Sequence, residues 1–188
     1  METERFEALI DAILAIIITI IVLELPLPGN GSWAALWELR YEFLIYAISF
    51  IVCFNFWNFN NNVFSIVNKI DHKIIWTMGI ILFVFSLLPY FTTFVAENFY
   101  LFFPQFMYGL LFLLTAVLSL IFGHFLKQSD PGNIALQISL THKPLYGTII
   151  IVLIGMLIGY FIYPPAITAC CLISILGIWT IPKIIDVI

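Results

Sequence analysis

The chain has 188 residues, of which 63% are hydrophobic, 17% aromatic and only 10% charged, and its mean hydropathy is +1.11. A water-soluble domain carries about 25% charged residues to wet its surface, so lipid is the solvent for most of this chain, and a soluble enzyme or a disordered segment is excluded. Seven Lys and Arg against eleven Asp and Glu leave a net charge of -4; with no basic stripe to neutralise phosphates, nucleic acid is not a partner, and cations are the natural counter-species.

The first apolar run, Ala8 to Leu25, follows a leader rich in acid (Glu2, Glu4, Glu7) and precedes no small-x-small cleavage site, so it reads as a retained helix rather than a signal peptide. At 1.5 Å per residue it reaches about 27 Å, close to the hydrocarbon thickness. Further runs, separated by Pro, Gly and Asn clusters, give six expected helices over about 6–25, 37–64, 74–95, 100–126, 144–163 and 165–182. The expected architecture is an all-α membrane protein forming one domain over 1–188. The longest connection, Lys127 to Pro144, is too short to fold alone, and its middle, Ile134 to Leu140, is at most a brief interfacial segment.

Charge placement supports an even number of passes, because Lys and Arg gather in cytoplasmic loops. With both termini cytoplasmic, Arg5, Lys69, Lys73, Lys127, Lys143 and Lys183 all fall inside and only Arg40 outside. Glu24, Glu38, Glu42 and Glu97 then gather at the outer end, where they enrich cations, and Trp33, Trp37, Tyr41 and Tyr100 suit an aromatic belt there.

Ionisable and amide side chains inside a membrane are functional candidates by default. Asp11 lies one turn into helix one, six residues from Arg5. Helix two ends in Trp57-Asn58-Phe59-Asn60-Asn61-Asn62, with Asn55, Asn58 and Asn62 on one face. These groups either bond helices together or contact ions. Ile16, Ile20 and Leu23 form one stripe of helix one, with Thr19 beside them. Periodicity alone makes that stripe ordinary core or lipid contact, since the helix is hydrophobic all round. Cys53, Cys170 and Cys171 lie in apolar runs without metal-ligand spacing and read as small buried hydrophobes. Gly155-x-x-x-Gly159 permits a close helix contact within the chain or between chains. No hydrolase, metalloprotease or nucleotide-loop signature appears, and no T-V-G-Y-G carbonyl filter.

Over Arg5 to Thr92 the sequence resembles the prokaryotic relatives of the endolysosomal potassium channel called transmembrane protein 175. That family opens helix one with R-x-x-x-F-S-D and an A-I-x-I-T-x-x-x-L-E-like run. Here Arg5, Leu9-Ile10-Asp11 and Ala15-Ile16-Ile17-Ile18-Thr19-Ile20-Ile21-Val22-Leu23-Glu24 stand in those places. Trp57-Asn58-Phe59-Asn60-Asn61-Asn62-Val63-Phe64 matches a W-V-N-H-H-H-L-F-like segment, with Asn where His is usual. The resemblance implies a homotetramer of six-helix chains in the plasma membrane of a prokaryote, crossed several times by each chain. It also implies a pore lined by helix one, potassium and other monovalent cations as permeant partners, and no cofactor beyond the permeant ion. Ile16, Thr19, Ile20 and Leu23 become the constriction, Glu24 the pore mouth, and Arg5 and Asp11 with Trp57, Asn58, Asn60, Asn61 and Asn62 the supporting network. A non-conducting scaffold and a small secondary transporter remain the alternatives; the lack of internal repeats and of interrupted helices with midplane charges counts against the transporter.

Overall fold

The computed structural model describes residues 3–140 and 143–176. Nine helices appear among them: α1 Thr3–Leu23, α2 Trp33–Glu38, α3 Arg40–Phe64, α4 His72–Ser86, α5 Leu88–Glu97, α6 Phe102–Ser129, α7 Ile134–Ser139, α8 Lys143–Phe161 and α9 Ala166–Ser174. Five stretches are long and apolar enough to cross a membrane: Glu4–Leu23, Arg40–Phe64, His72–Glu97, Phe102–Ser129 and Ile134–Phe161. Of the sixth expected helix, α9 covers the start, and its part beyond residue 176 lies outside the described residues.

Three expected helices change shape. Helix two does not begin at residue 37. Ser32 caps a separate short helix by accepting from the Ala35 N–H, the chain breaks at Leu39, and α3 starts at Arg40. Arg40 secures the joint, donating from Nη1 to the Trp37 carbonyl at 3.1 Å and lying 4.4 Å from the Tyr41 ring centroid. Helix three divides at Leu87 into α4 and α5. Pro89 is the cause: it has no N–H to donate, and its ring crowds the carbonyl four residues earlier. At the other end of α4, the Asp71 carboxylate accepts from the Ile74 N–H at 2.9 Å and caps the helix. Helix one stops at Leu23, shortly before Pro26 and Pro28, because the residue before a proline disfavours helical backbone.

The helices alternate direction. At the start of α1, Phe6 lies 5.8 Å from the Phe64 ring at the end of α3, and Phe64 in turn lies 6.2 Å from Phe122 of α6. At the opposite end, Tyr41 at the start of α3 stacks on Phe99 at 4.3 Å and hydrogen-bonds the Tyr100 hydroxyl, and the Tyr100 ring lies 6.3 Å from Tyr163. That hydrogen bond holds the Tyr100 hydroxyl above its ordinary pKa.

Apolar packing gives little net drive between helices in lipid, so close contact and hydrogen bonds must hold them. Two buried polar links do so. Ser49 of α3 bonds Thr92 of α5 at 2.7 Å and Tyr108 of α6 at 2.8 Å, all three buried. Gln105 of α6 donates to the Phe99 carbonyl at 2.7 Å and accepts from Thr168 of α9. Close contact comes from glycine. A Cβ on Gly155 would fall 2.6 Å from the Cys170 Cβ, and one on Gly109 or Gly159 would fall 2.6 Å from Ile167 side-chain carbons. Ile167 of α9 therefore sits fully buried in a notch between α6 and α8. The Gly155-x-x-x-Gly159 spacing serves a contact within the chain, between α8 and α9.

Candidate ion pathway

Helix α1 has two distinct faces. Phe6, Ile10, Leu14, Ile17 and Ile21 recur every three or four residues and are buried, at 1–4% exposure, against the rest of the bundle. On the other side Ile16 is 58% exposed, Ile20 37% and Leu23 79%, and Thr19 is exposed with them. Hydrophobicity is spread all round the helix, but burial is one-sided. The chain itself leaves the Ile16, Thr19, Ile20 and Leu23 stripe uncovered.

Thr19 presents particular chemistry on that stripe. Its hydroxyl donates to the Ile16 carbonyl at 2.8 Å, which uses its single proton on the helix backbone. What Oγ1 offers outward is a lone pair, an acceptor suited to a cation.

Glu24 follows the last turn of α1, its N–H bonded to the Ile20 carbonyl at 3.2 Å. Its surroundings are acidic: Glu24, Glu42 of α3 and Glu97 of α5 line one small pocket together with Thr92 and Thr93. Glu42 Oε2 is buried there without a hydrogen-bond partner. Among the described residues no three metal-ligating side chains gather closely enough to hold an ion.

Arg5 and Asp11 are both exposed near the start of α1. The amide cluster at the end of α3 turns largely on itself. Asn55 donates to the Ile51 carbonyl, Asn60 to Phe56, and Asn62 to both the carbonyl and the Oδ1 of Asn58. Trp57 is half-buried with its ring 5.7 Å from Phe54, and Asn61 is exposed. Asn60 differs from its neighbours. It is 2% exposed, and its Oδ1 is buried with no partner. An orphaned buried acceptor costs roughly 1–3 kcal/mol, so Asn60→Leu is expected to raise the unfolding free energy by about 1 kcal/mol in a detergent-unfolding titration. A loss of stability would show that Oδ1 finds a partner in the assembled protein.

The sequence did not bring out the Ser49, Thr92 and Tyr108 link, whose members lie 43 and 59 residues apart. The only available signal was that three hydroxyls interrupt otherwise apolar runs. The acidic grouping around Glu24 was visible only as residues sharing one end.

Comparison with known proteins adds to this geometry. Residues 5–89 match the family described as endosomal/lysosomal potassium channel TMEM175. A protein of Chryseobacterium sp. (strain P1-3) named as a potassium channel is 33% identical over 183 residues, covering 97% of this chain and 94% of its own. One of Chamaesiphon minutus, also named as a potassium channel, is 33% identical over 110 residues, covering 55% of this chain and 53% of its own. The fold is similar, at a TM-score of 0.79 and 23% identity, to the crystal structure of a lysosomal potassium-selective channel TMEM175 homolog from Chamaesiphon minutus, over 94% of this chain and 96% of that one.

Proposed function

The chain belongs to the TMEM175 potassium channel family, and from that membership we propose the pathway by which it conducts. It is a membrane-spanning potassium channel and not an enzyme. In the proposed assembly four six-helix chains surround one axis in the plasma membrane of a prokaryote, with both termini on the cytoplasmic side, and α1 faces the axis.

The observation that carries this reading is the one-sided burial of α1. A helix that packs Phe6, Ile10, Leu14, Ile17 and Ile21 into its own bundle and leaves Ile16, Thr19, Ile20 and Leu23 open has a face free for a symmetric partner or a pore. Four copies of Ile16 narrow the path until an ion sheds part of its water. Potassium, the larger ion, gives up water at less cost than sodium. Aliphatic walls cannot replace that water, and the Thr19 oxygens, with their protons held by Ile16 carbonyls, supply acceptors one layer on. The same apolar ring can close the path by dewetting. Glu24, with Glu42 and Glu97 beside it, raises the cation concentration at the mouth. Arg5 and Asp11, both exposed, are free to brace α1 against the amide cluster of a neighbouring chain.

The test is the purified protein, with its oligomeric order measured and then reconstituted in liposomes. Tetramers that release potassium faster than sodium are expected. Verified tetramers with no flux would favour a scaffold, and saturable, proton-coupled uptake would favour a transporter.

A further inference from the structure

The end of the molecule that carries the α3–α4 and α6–α7 connections gathers lysines in one corner. The Lys69 carbonyl accepts from Ser129 at 3.4 Å, at the close of α6. The Lys127 carbonyl accepts from Gln137 of α7 at 3.0 Å. Lys73, in the first turn of α4, holds its Nζ 5.8 Å from the Phe125 ring centroid on α6. Three segments that each carry one lysine thus meet at the end of α6. The carboxylates of this corner are engaged by amide donors. Asp71 accepts from the Ile74 N–H at 2.9 Å, and Asp130 Oδ2 accepts from Asn68 at 3.2 Å and from Asn133 at 3.3 Å.

An exposed apolar track leads away from the lysines. Trp76, Ile80 and Phe83 of α4 are 73%, 51% and 69% exposed and follow Lys73 at helical spacing, running from the charged end toward the middle of the span. Beside the corner, Ile134 and Ile138 of α7 are 74% and 73% exposed, one turn apart on the same face. Two exposed isoleucines on a short helix beside lysines are what a segment lying at headgroup depth presents. We propose that Lys69, Lys73 and Lys127 bind the headgroup of an anionic phospholipid, whose acyl chain lies along Trp76, Ile80 and Phe83. The complementarity is of both kinds: three lysines against the two carboxylates Asp71 and Asp130 at the headgroup level, and an aromatic-aliphatic track below. Basic pockets of this sort between membrane helices favour anionic headgroups.

The experiment is native mass spectrometry of the assembled protein released from micelles containing equal phosphatidylglycerol and phosphatidylcholine. Each lysine near the headgroup contributes about fivefold in preference. Retention of phosphatidylglycerol at least about fivefold above phosphatidylcholine is expected, with near parity for the triple variant Lys69→Gln, Lys73→Gln, Lys127→Gln. Should the triple variant fail to assemble, Lys73→Gln alone is expected to lower the preference about fivefold with oligomeric order unchanged. Arg40→Gln, at the opposite end, should leave it intact. Equal retention of the two lipids by the wild type, or a preference that survives these substitutions, would overturn the proposal. Displacement of the lipid by millimolar glycerol phosphate would overturn it too, since the corner would then be a site for soluble anions.

Discussion

Ile16→Asn is expected to bring the potassium-over-sodium permeability ratio down several-fold, toward no preference, while conductance persists. In the proposed constriction, discrimination arises because an isoleucine ring takes water from the ion and returns nothing. An asparagine at the same place offers a carbonyl oxygen and an amide to the ion and its remaining water. Sodium then no longer bears the larger dehydration cost alone. A tenfold preference corresponds to about 1.4 kcal/mol, which is within what one added polar contact per chain can cancel. Fold stability should change little, because Ile16 is 58% exposed in the chain and its removal opens no cavity in the bundle. Reversal potentials under bi-ionic potassium and sodium provide the measurement. A ratio equal to that of the wild type would remove Ile16 from the filter.

Gly155→Ala is expected to produce the largest loss of stability of any single added methyl group in α8. The new Cβ would lie 2.6 Å from the Cys170 Cβ, 3.0 Å from its Sγ and 3.4 Å from the Ala166 carbonyl. The first of these atoms is fixed to the α9 backbone and cannot swing aside, so the two helices must part. Overpacking of this kind costs about 1–3 kcal/mol. Separation of α8 from α9 would also loosen Ile167 from its notch between Gly109 and Gly159. A lower midpoint in a thermal unfolding assay in detergent is the expected result. Cys170→Gly in the same chain should recover part of the loss, because it removes the atoms that the alanine meets. Gly79, where nothing lies within 4 Å of an added Cβ, is the control: Gly79→Ala should be neutral or slightly stabilising, as alanine is the better helix former.

The sequence and the structure agree where hydropathy alone sets the outcome. Runs of about twenty apolar residues must be helical to satisfy their backbone in lipid, so the long helices were legible. Their interruptions were less so. The expectation of one helix over 74–95 passed over Pro89, which carries the signal for the break at Leu87, and nothing in Trp33 to Glu42 distinguishes a short helix plus a joint from one continuous start, because Arg40 reaches the Trp37 carbonyl only across the joint. The candidate filter was the least legible feature by periodicity. Hydrophobic residues surround α1 on every side, and only contact with α3, α4 and α5 decides which of them are buried. The motif from Arg5 to Glu24 pointed to Ile16, Thr19, Ile20 and Leu23 by resemblance, whereas the one-sided burial of α1 is a separate physical reason for those positions to be available. The amide cluster was legible as a shared face, on which Asn62 reaches Asn58 Oδ1, but the bonds that Asn55, Asn60 and Asn62 donate to carbonyls one turn back in α3 are a local preference of asparagine that spacing does not display.

Cysteine accessibility along α1 tests the central claim most directly. Cys170→Ala channels in liposomes, whose remaining Cys53 and Cys171 are buried whereas Cys170 is only half-buried, set the background to aqueous silver ion, a probe close to potassium in size. Block of potassium flux by silver in Ile16→Cys, Ile20→Cys and Leu23→Cys channels, with Leu14→Cys and Ile17→Cys behaving as that background, is the result expected of a pore lined by the exposed stripe. Block in the Leu14 and Ile17 variants with none in the Ile16 and Ile20 variants would place the ion path on the other face and contradict the account.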